Sequence, residues 1–207
     1  MILVALGGTI EPMKPEATYK VEVGPHTWED FIALPDDDRR ELWNGWLVEA
    51  EDPTFLHEHI IAMLVMHIGL WTRTRGGRVL ASGYKVKVDQ RRGFFPDLQY
   101  HAPNRVPTRH SAGSEVPPDL AVEVISPGSG GRDRLLKLQA YARRGIPEYW
   151  IIDPDRTLLE RLRLDEDGFY QLAEALEGDV PFAPASFPEL TIDLAELWHC
   201  EETSAEA

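Results

Sequence analysis

Residues 117–154, PPDLAVEVISPGSGGRDRLLKLQAYARRGIPEYWIIDP, constrain the fold more than any other stretch of the chain. Asp119 to Ser126 is a near-continuous apolar run bounded by Pro-Pro and Ser-Pro, the composition of a strand buried on both faces. Gly128 to Gly131 supply a loop with Ser129 as N-cap, and a helix is predicted from about Arg132 to Arg144, closed by Gly145 with Pro147 beyond. On that helix Leu135, Leu138 and Ala142 share one face, while Lys137 and Tyr141 lie one turn apart on a flank. Ile146 to Asp153 reads as a second buried strand. Strand, helix, strand in this order predicts a right-handed crossover between neighbouring parallel strands. Glu123 interrupts the first strand, and a carboxylate there costs several kcal/mol unless it is paired, protonated or bound to a metal. It requires a partner.

A second carboxylate offers itself in FFPDLQY, Phe94 to Tyr100, a short aromatic strand with Asp97 just inside it. Asp97 and Glu123 are 26 positions apart, and neighbouring strands bring such residues side by side. Two carboxylates that close raise one another's pKa, whereas a divalent cation between them removes the penalty and creates a catalytic metal site.

Pro96-Asp97, Val122-Glu123-Val124, Ser126-Pro127, Asp133, Lys137, Tyr141, Gly145, Glu148-Tyr149-Trp150 and Asp153-Pro154 together resemble the pattern of the Uma-type restriction endonuclease family, within the PD-(D/E)XK, restriction-endonuclease-like superfamily. The resemblance extends from about Glu41 to Trp198. It implies an α/β (α+β) fold, a restriction-endonuclease-like mixed β-sheet flanked by helices with an added N-terminal hairpin. It also implies magnesium-dependent hydrolysis of nucleic-acid phosphodiesters, with manganese as a substitute ion and DNA as the expected partner. Asp97 matches the first acid of the motif and Glu123 the second, and the metal would lie on these two with help from the Val124 carbonyl. The superfamily lysine belongs two places after the second acid, where this chain has Ile125. In the Uma-type pattern a lysine on the following helix stands in, which selects Lys137 to orient the water or stabilise charge on phosphate. Tyr141 is then an auxiliary that positions the lysine, or a packing aromatic, and Asp133 orients a cation or compensates the helix N-terminus.

With 207 residues the chain is long enough for a sizeable core. The expected organisation is an N-terminal arm or extra strand over 1–26, one domain over 27–199 and a frayed acidic tail over 200–207. No run approaches a membrane span and the start carries no leader-like pattern, so the expected location is cytoplasmic. The lone Cys200 excludes an intramolecular disulfide and a cysteine-rich zinc site. A net charge of −14 disfavours generic nucleic-acid binding. From Glu160 onward, however, thirteen acids face two arginines, whereas Trp71 to Arg92 holds seven basic residues against Asp89 alone. A positive groove is therefore compatible with the total.

Ile2 to Ile10, ILVALGGTI, resembles the nucleophile segment of asparaginase-type amidohydrolases, with Thr9 as attacking group, but no second motif of that family follows. Thr27 caps a short helix, WEDFIAL. ELWNGWLVEA predicts a hairpin turning at Asn44-Gly45. Glu41 on its first strand corresponds to an acid recurrent in the Uma-type pattern, either a third metal ligand, an orienter of water, or a solvent-facing strand residue. Apolar spacing from about Thr54 to Arg75 predicts a long helix over the sheet. On it His57 and His59 point apart and cannot share a metal; His59 is the one placed to approach the site, or is a core histidine. Tyr84 to Asp89 alternates Lys85 and Lys87 with valines, a strand with a basic face that, with Arg91 and Arg92 in the next turn, either follows a phosphate backbone or is solvated. His101 to Pro117 reads as a long loop beside the site, Leu158 to Ala173 as a hairpin around Asp165 to Gly168, and Phe187 to Trp198 as a last strand and helix. Trp43, Trp46 and the strand edges suggest a homodimer; the alternative is that both tryptophans are core.

A non-catalytic nucleic-acid-binding or assembly module on the same fold is the competing reading, with Ile125 and the overall acidity in its favour.

Overall fold

The computed structural model describes residues 21–200 apart from 23, 51, 82 and 127–131. The segment carrying Thr9, the glycine loop with Ser129, and the residues beyond Cys200 lie outside the described residues, as does the side chain of Asp133.

In chain order the elements are β1 (Val21–Glu22), α1 (Trp28–Ile32), β2 (Arg40–Trp43), β3 (Trp46–Glu49), α2 (Phe55–Arg75), β4 (Arg78–Ala81), β5 (Lys85–Asp89), β6 (Arg92–Phe94), β7 (Leu98–His101), β8 (Gly113–Ser114) and β9 (Leu120–Val124). There follow α3 (Arg132–Arg144), β10 (Glu148–Asp153), β11 (Leu158–Leu164), β12 (Tyr170–Glu177), β13 (Pro181–Phe182), β14 (Ile192–Asp193) and α4 (Ala195–Trp198). Strands β4, β7, β9, β10, β11 and β12 form one mixed sheet in the order β12-β11-β10-β9-β7-β4, in which β9 and β10 are parallel. The predicted parallel pairing therefore stands: β9, α3 and β10 are the strand, helix and strand.

The N-terminal hairpin grows into a sheet of its own, six strands in the order β1-β3-β2-β6-β5-β8. Its turn is built as the sequence demands. Asn44 and Gly45 have φ of 51° and 88°, the left-handed pair that joins two twisted strands most tightly. α1 begins in a reciprocal cap, the Thr27 hydroxyl accepting from Asp30 N–H and the Asp30 carboxylate accepting from Thr27 N–H. β1 and β8 fall within stretches expected to be a linker and a loop. β1 pairs with β3, and β8 adds a parallel partner to β5, which ties down the long His101–Pro117 connection.

Three apolar clusters organise these layers. The largest lies between the outer face of the β4–β12 sheet and α2, α4 and the segment around Phe187, with Ile60, Leu64, Ile68, Leu98, Val122, Trp150 and Leu197 buried. On the opposite face of that sheet Ala121, Tyr141, Tyr149, Ile151 and Phe94 form a second cluster under α3, which packs between β5 and β10. The third joins α1 to β2 and β3 through Trp28, Phe31, Leu42 and Leu47. The alternation along β9 decides the side to which its acid turns. Leu120, Val122 and Val124 belong to the α2 side, so Ala121 and Glu123 point to the α3 side.

Candidate active site

Asp97 occupies the break between β6 and β7, one residue before β7 begins. The β7–β9 ladder is antiparallel with Leu98 opposite Val122, so the next step outward sets Asp97 opposite Glu123. The carboxylate of Asp97 confirms the proximity: its Oδ2 accepts a hydrogen bond from the Val124 N–H at 2.7 Å. Pro96 cannot donate to a ladder, and the strand breaks there. That break frees Asp97 to turn its side chain onto the neighbouring backbone.

Glu123 lies below α3 and is gripped from both sides. Lys137 donates to its Oε2 at 2.8 Å and Tyr141 to its Oε1 at 2.5 Å. The one-turn spacing of these two residues on α3 delivers both to the same carboxylate. Lys137 also reaches Glu41, Nζ to Oε1 3.1 Å. Glu41 in turn accepts from the Trp43 indole N–H at 3.1 Å and from the Phe95 N–H at 3.2 Å. All three charged groups are withdrawn from water, with side-chain exposures of 6% for Lys137, 7% for Glu41 and 12% for Glu123. Phe94 closes the floor, its ring 5.9 Å from the ammonium and 4.4 Å from the ring of Trp43.

The electrostatics of this cluster are lopsided. Burial pushes the Glu123 carboxyl up to about 8; Lys137 opposes the shift, and the charges of Asp97 and Glu41 add to it. Burial likewise holds the Tyr141 phenol well above its usual range, so it serves as a hydrogen-bond donor. One ammonium is shared between two buried acids, and at Glu123 burial outweighs its pull.

The histidine assignment needs correcting. His59 Nε2–H donates to the Glu196 carbonyl, 2.9 Å away, and its ring stacks on Phe55, so it faces α4 and not the acids. His57 is the residue at the site. Its Nε2 lies 3.3 Å from Asp97 Oδ2. Burial pulls the imidazole toward the neutral form, but the hydrogen bond and charge of Asp97, with Glu58 beside it, prevail and raise its pKa. Sequence spacing correctly set the two histidines on different faces. The face turned to Asp97 is decided by where the N-terminus of α2, capped by Thr54, meets the β6–β7 break.

The basic strand is also corrected. Lys85 is buried, its ammonium over the rings of Phe31 and Phe95, and desolvation lowers its pKa against the pull of Asp36 and Asp38. Lys87 sits over Trp28 and pairs with Glu115 at 3.4 Å. Arg91 donates to the Asn44 carbonyl and Arg92 pairs with Asp89. α1 covers this face of β5, so the alternating lysines stabilise the junction of α1 with its sheet and offer no continuous basic stripe. Trp43 and Trp46 are each half-buried.

A mixed sheet flanked by helices, with an acid at a strand break, a second acid on the adjacent strand and a lysine from the crossover helix, defines the restriction-endonuclease-like class. The chain belongs to the Uma2 family, described as "Putative restriction endonuclease", which it matches over residues 28–195. It is thereby nuclease-like by family. A solved protein from Anabaena variabilis ATCC 29413, titled a "putative nuclease belonging to DUF820", shares the fold with a TM-score of 0.71 at 20% identity, over 83% of this chain and 97% of that one. No curated protein matches.

Proposed function

We propose that the protein is a divalent-metal-dependent endonuclease that hydrolyses phosphodiester bonds in nucleic acid, with DNA as its first candidate substrate. The observation that carries this reading is the placement of Asp97 against Glu123 on adjoining strands, with Lys137 brought to the same point by α3.

The donors present fit a hard cation of the magnesium type. Both acids offer carboxylate oxygens, Asp97 Oδ1 has no protein donor among the described residues, and Glu123 is a buried acid whose charge one shared ammonium leaves under-compensated. Among the described residues no group of three or more His, Cys, Asp and Glu side chains converges on one point. Magnesium is held by one or two carboxylates and completes its shell with water and substrate phosphate. Asp97 and Glu123 would hold the ion, and when bound it would act as a Lewis acid and make water a competent nucleophile near neutral pH. The protein's own contributions follow from the hydrogen bonds. Val124 N–H and His57 fix Asp97, and Tyr141 fixes Glu123. With a cation bound to neutralise Glu123, Lys137 would supply positive charge for a phosphate oxygen.

One observation favours the non-catalytic module instead: Lys137 already bridges Glu41 and Glu123, the role a cation would play. Calorimetric titration of the purified protein with magnesium and manganese, alongside cleavage of duplex DNA, single-stranded DNA and RNA, separates the two. Binding that disappears in Asp97→Asn together with cleavage that disappears in Asp97→Asn and Glu123→Gln is the expected result. A folded protein that neither binds the ions nor cuts any substrate refutes the hydrolase and leaves the module.

A further inference from the structure

By length and composition alone α2 is apolar enough to cross a membrane, contrary to the expectation that no stretch approaches this. A helix that is apolar all round is normally covered all round. Here the sheet and α4 cover only part of it. At about 100° per residue, Phe55, Glu58, Ala62, Met66, Leu70 and Arg73 fall on one arc, and all six are exposed. Phe55, Met66 and Leu70 are 76%, 44% and 57% exposed. Gly69 lies among them, and a Cβ placed there would meet nothing. Among the described residues no element packs on this arc.

We propose that this face is a twofold interface on which α2 packs antiparallel against α2 of a second copy of the chain, centred near Met66. The charges select that arrangement. The arc carries one acid toward its N-terminal end, Glu58, and one base toward its C-terminal end, Arg73, at almost equal distances along the helix from Met66. Antiparallel packing sets each Glu58 against Arg73 of the other copy, twice by symmetry. Parallel packing sets like on like. The same axis opposes small to large, Ala62 to Leu70, and Gly69 adds no side chain, which lets the helices approach closely. One helix per copy makes an interface at the low end of specific contacts, about 1,200 Å² in total or less, so association belongs in the micromolar range.

The inference is independent of the nuclease reading, and it is tested on the full chain. Glu58 also lies 3.7 Å from His57, so the readout is assembly and not cleavage. Sedimentation velocity from about one to several hundred micromolar, a span that brackets this affinity class, should show a concentration-dependent dimer. Glu58→Arg and Arg73→Glu should each weaken it at least tenfold. Mixing the two variants should restore it, since one then has both ends of its arc basic and the other both acidic. Met66→Cys in a Cys200→Ser background should cross-link across the axis under mild oxidation. A folded wild type that stays monomeric throughout overturns the proposal and points to the chain's own residues, or a lipid surface, as the cover. A dimer indifferent to both charge reversals and without the Met66→Cys cross-link overturns it as well, because the contact then lies elsewhere.

Discussion

Replacing Glu123 by Gln removes a titration and leaves the shape of the side chain, so it isolates what burial does to this carboxylate. In the metal-free protein the folded-state value of about 8 stands against an ordinary 4.5. A group raised in the folded state contributes stability in full below its unfolded value and loses that contribution as pH rises through the folded value. The window is therefore pH 4.5 to about 8. At about 1.4 kcal/mol per unit the loss is on the order of 5 kcal/mol, a large share of the stability of a domain this size. The variant lacks this slope, because its amide is neutral at every pH. Urea unfolding at pH 5 to 9 in chelator should thus show wild-type stability falling by several kcal/mol relative to Glu123→Gln as pH rises. A difference that is flat with pH would refute the reasoning, because it would mean that Lys137 alone compensates the buried charge. Repeating the series in millimolar magnesium tests the metal separately: the wild type, and not the variant, should recover stability at the alkaline end.

Lys137→Met strands Glu41 and Glu123 together in a buried site, so it should cost about 3–5 kcal/mol at pH 8, and Glu123→Gln in the same chain should return a substantial part of it in a double-mutant cycle by urea unfolding. Asp97→Asn removes the more effective of the two acids that raise the His57 pKa and leaves only Glu58 to oppose burial, so NMR titration should find the pKa lowered; an unchanged value would show that the pair at 3.3 Å is inert. Arg161→Met breaks a buried pair with Glu148, Nε to Oε1 2.8 Å, on the α2 side of the sheet; a loss of about 3–5 kcal/mol in unfolding is expected, with magnesium affinity of the folded protein unchanged. Gly93→Ala sets a Cβ 2.8 Å from the ring of Phe31 and 2.9 Å from that of Trp28, and overpacking of that kind should cost about 1–3 kcal/mol, read as a lower Tm.

Local chemistry was enough to place most elements. Thr27, Thr54 and Gly145 mark helix ends, Asn44-Gly45 marks a hairpin, and the apolar run around Glu123 announces a buried strand, because caps, turns and burial periodicity are written in a few neighbouring residues. The same logic flagged Glu123 as an acid in need of a partner and set Lys137 and Tyr141 one turn apart. What no window of sequence holds is which surfaces meet. Lys85 and Lys87 alternate like a solvent-facing basic strand, yet α1 folds over them. Spacing sets His57 and His59 on different faces, but the one that meets the acids is decided only when the N-terminus of α2 is set against the β6–β7 break. Glu41, from a different sheet, becomes the second acid on Lys137 only when α3 spans both sheets. Side-chain periodicity is a property of a few residues and can be read in one dimension. Desolvation and ion pairing depend on residues far apart in the chain, and the tertiary structure alone decides them.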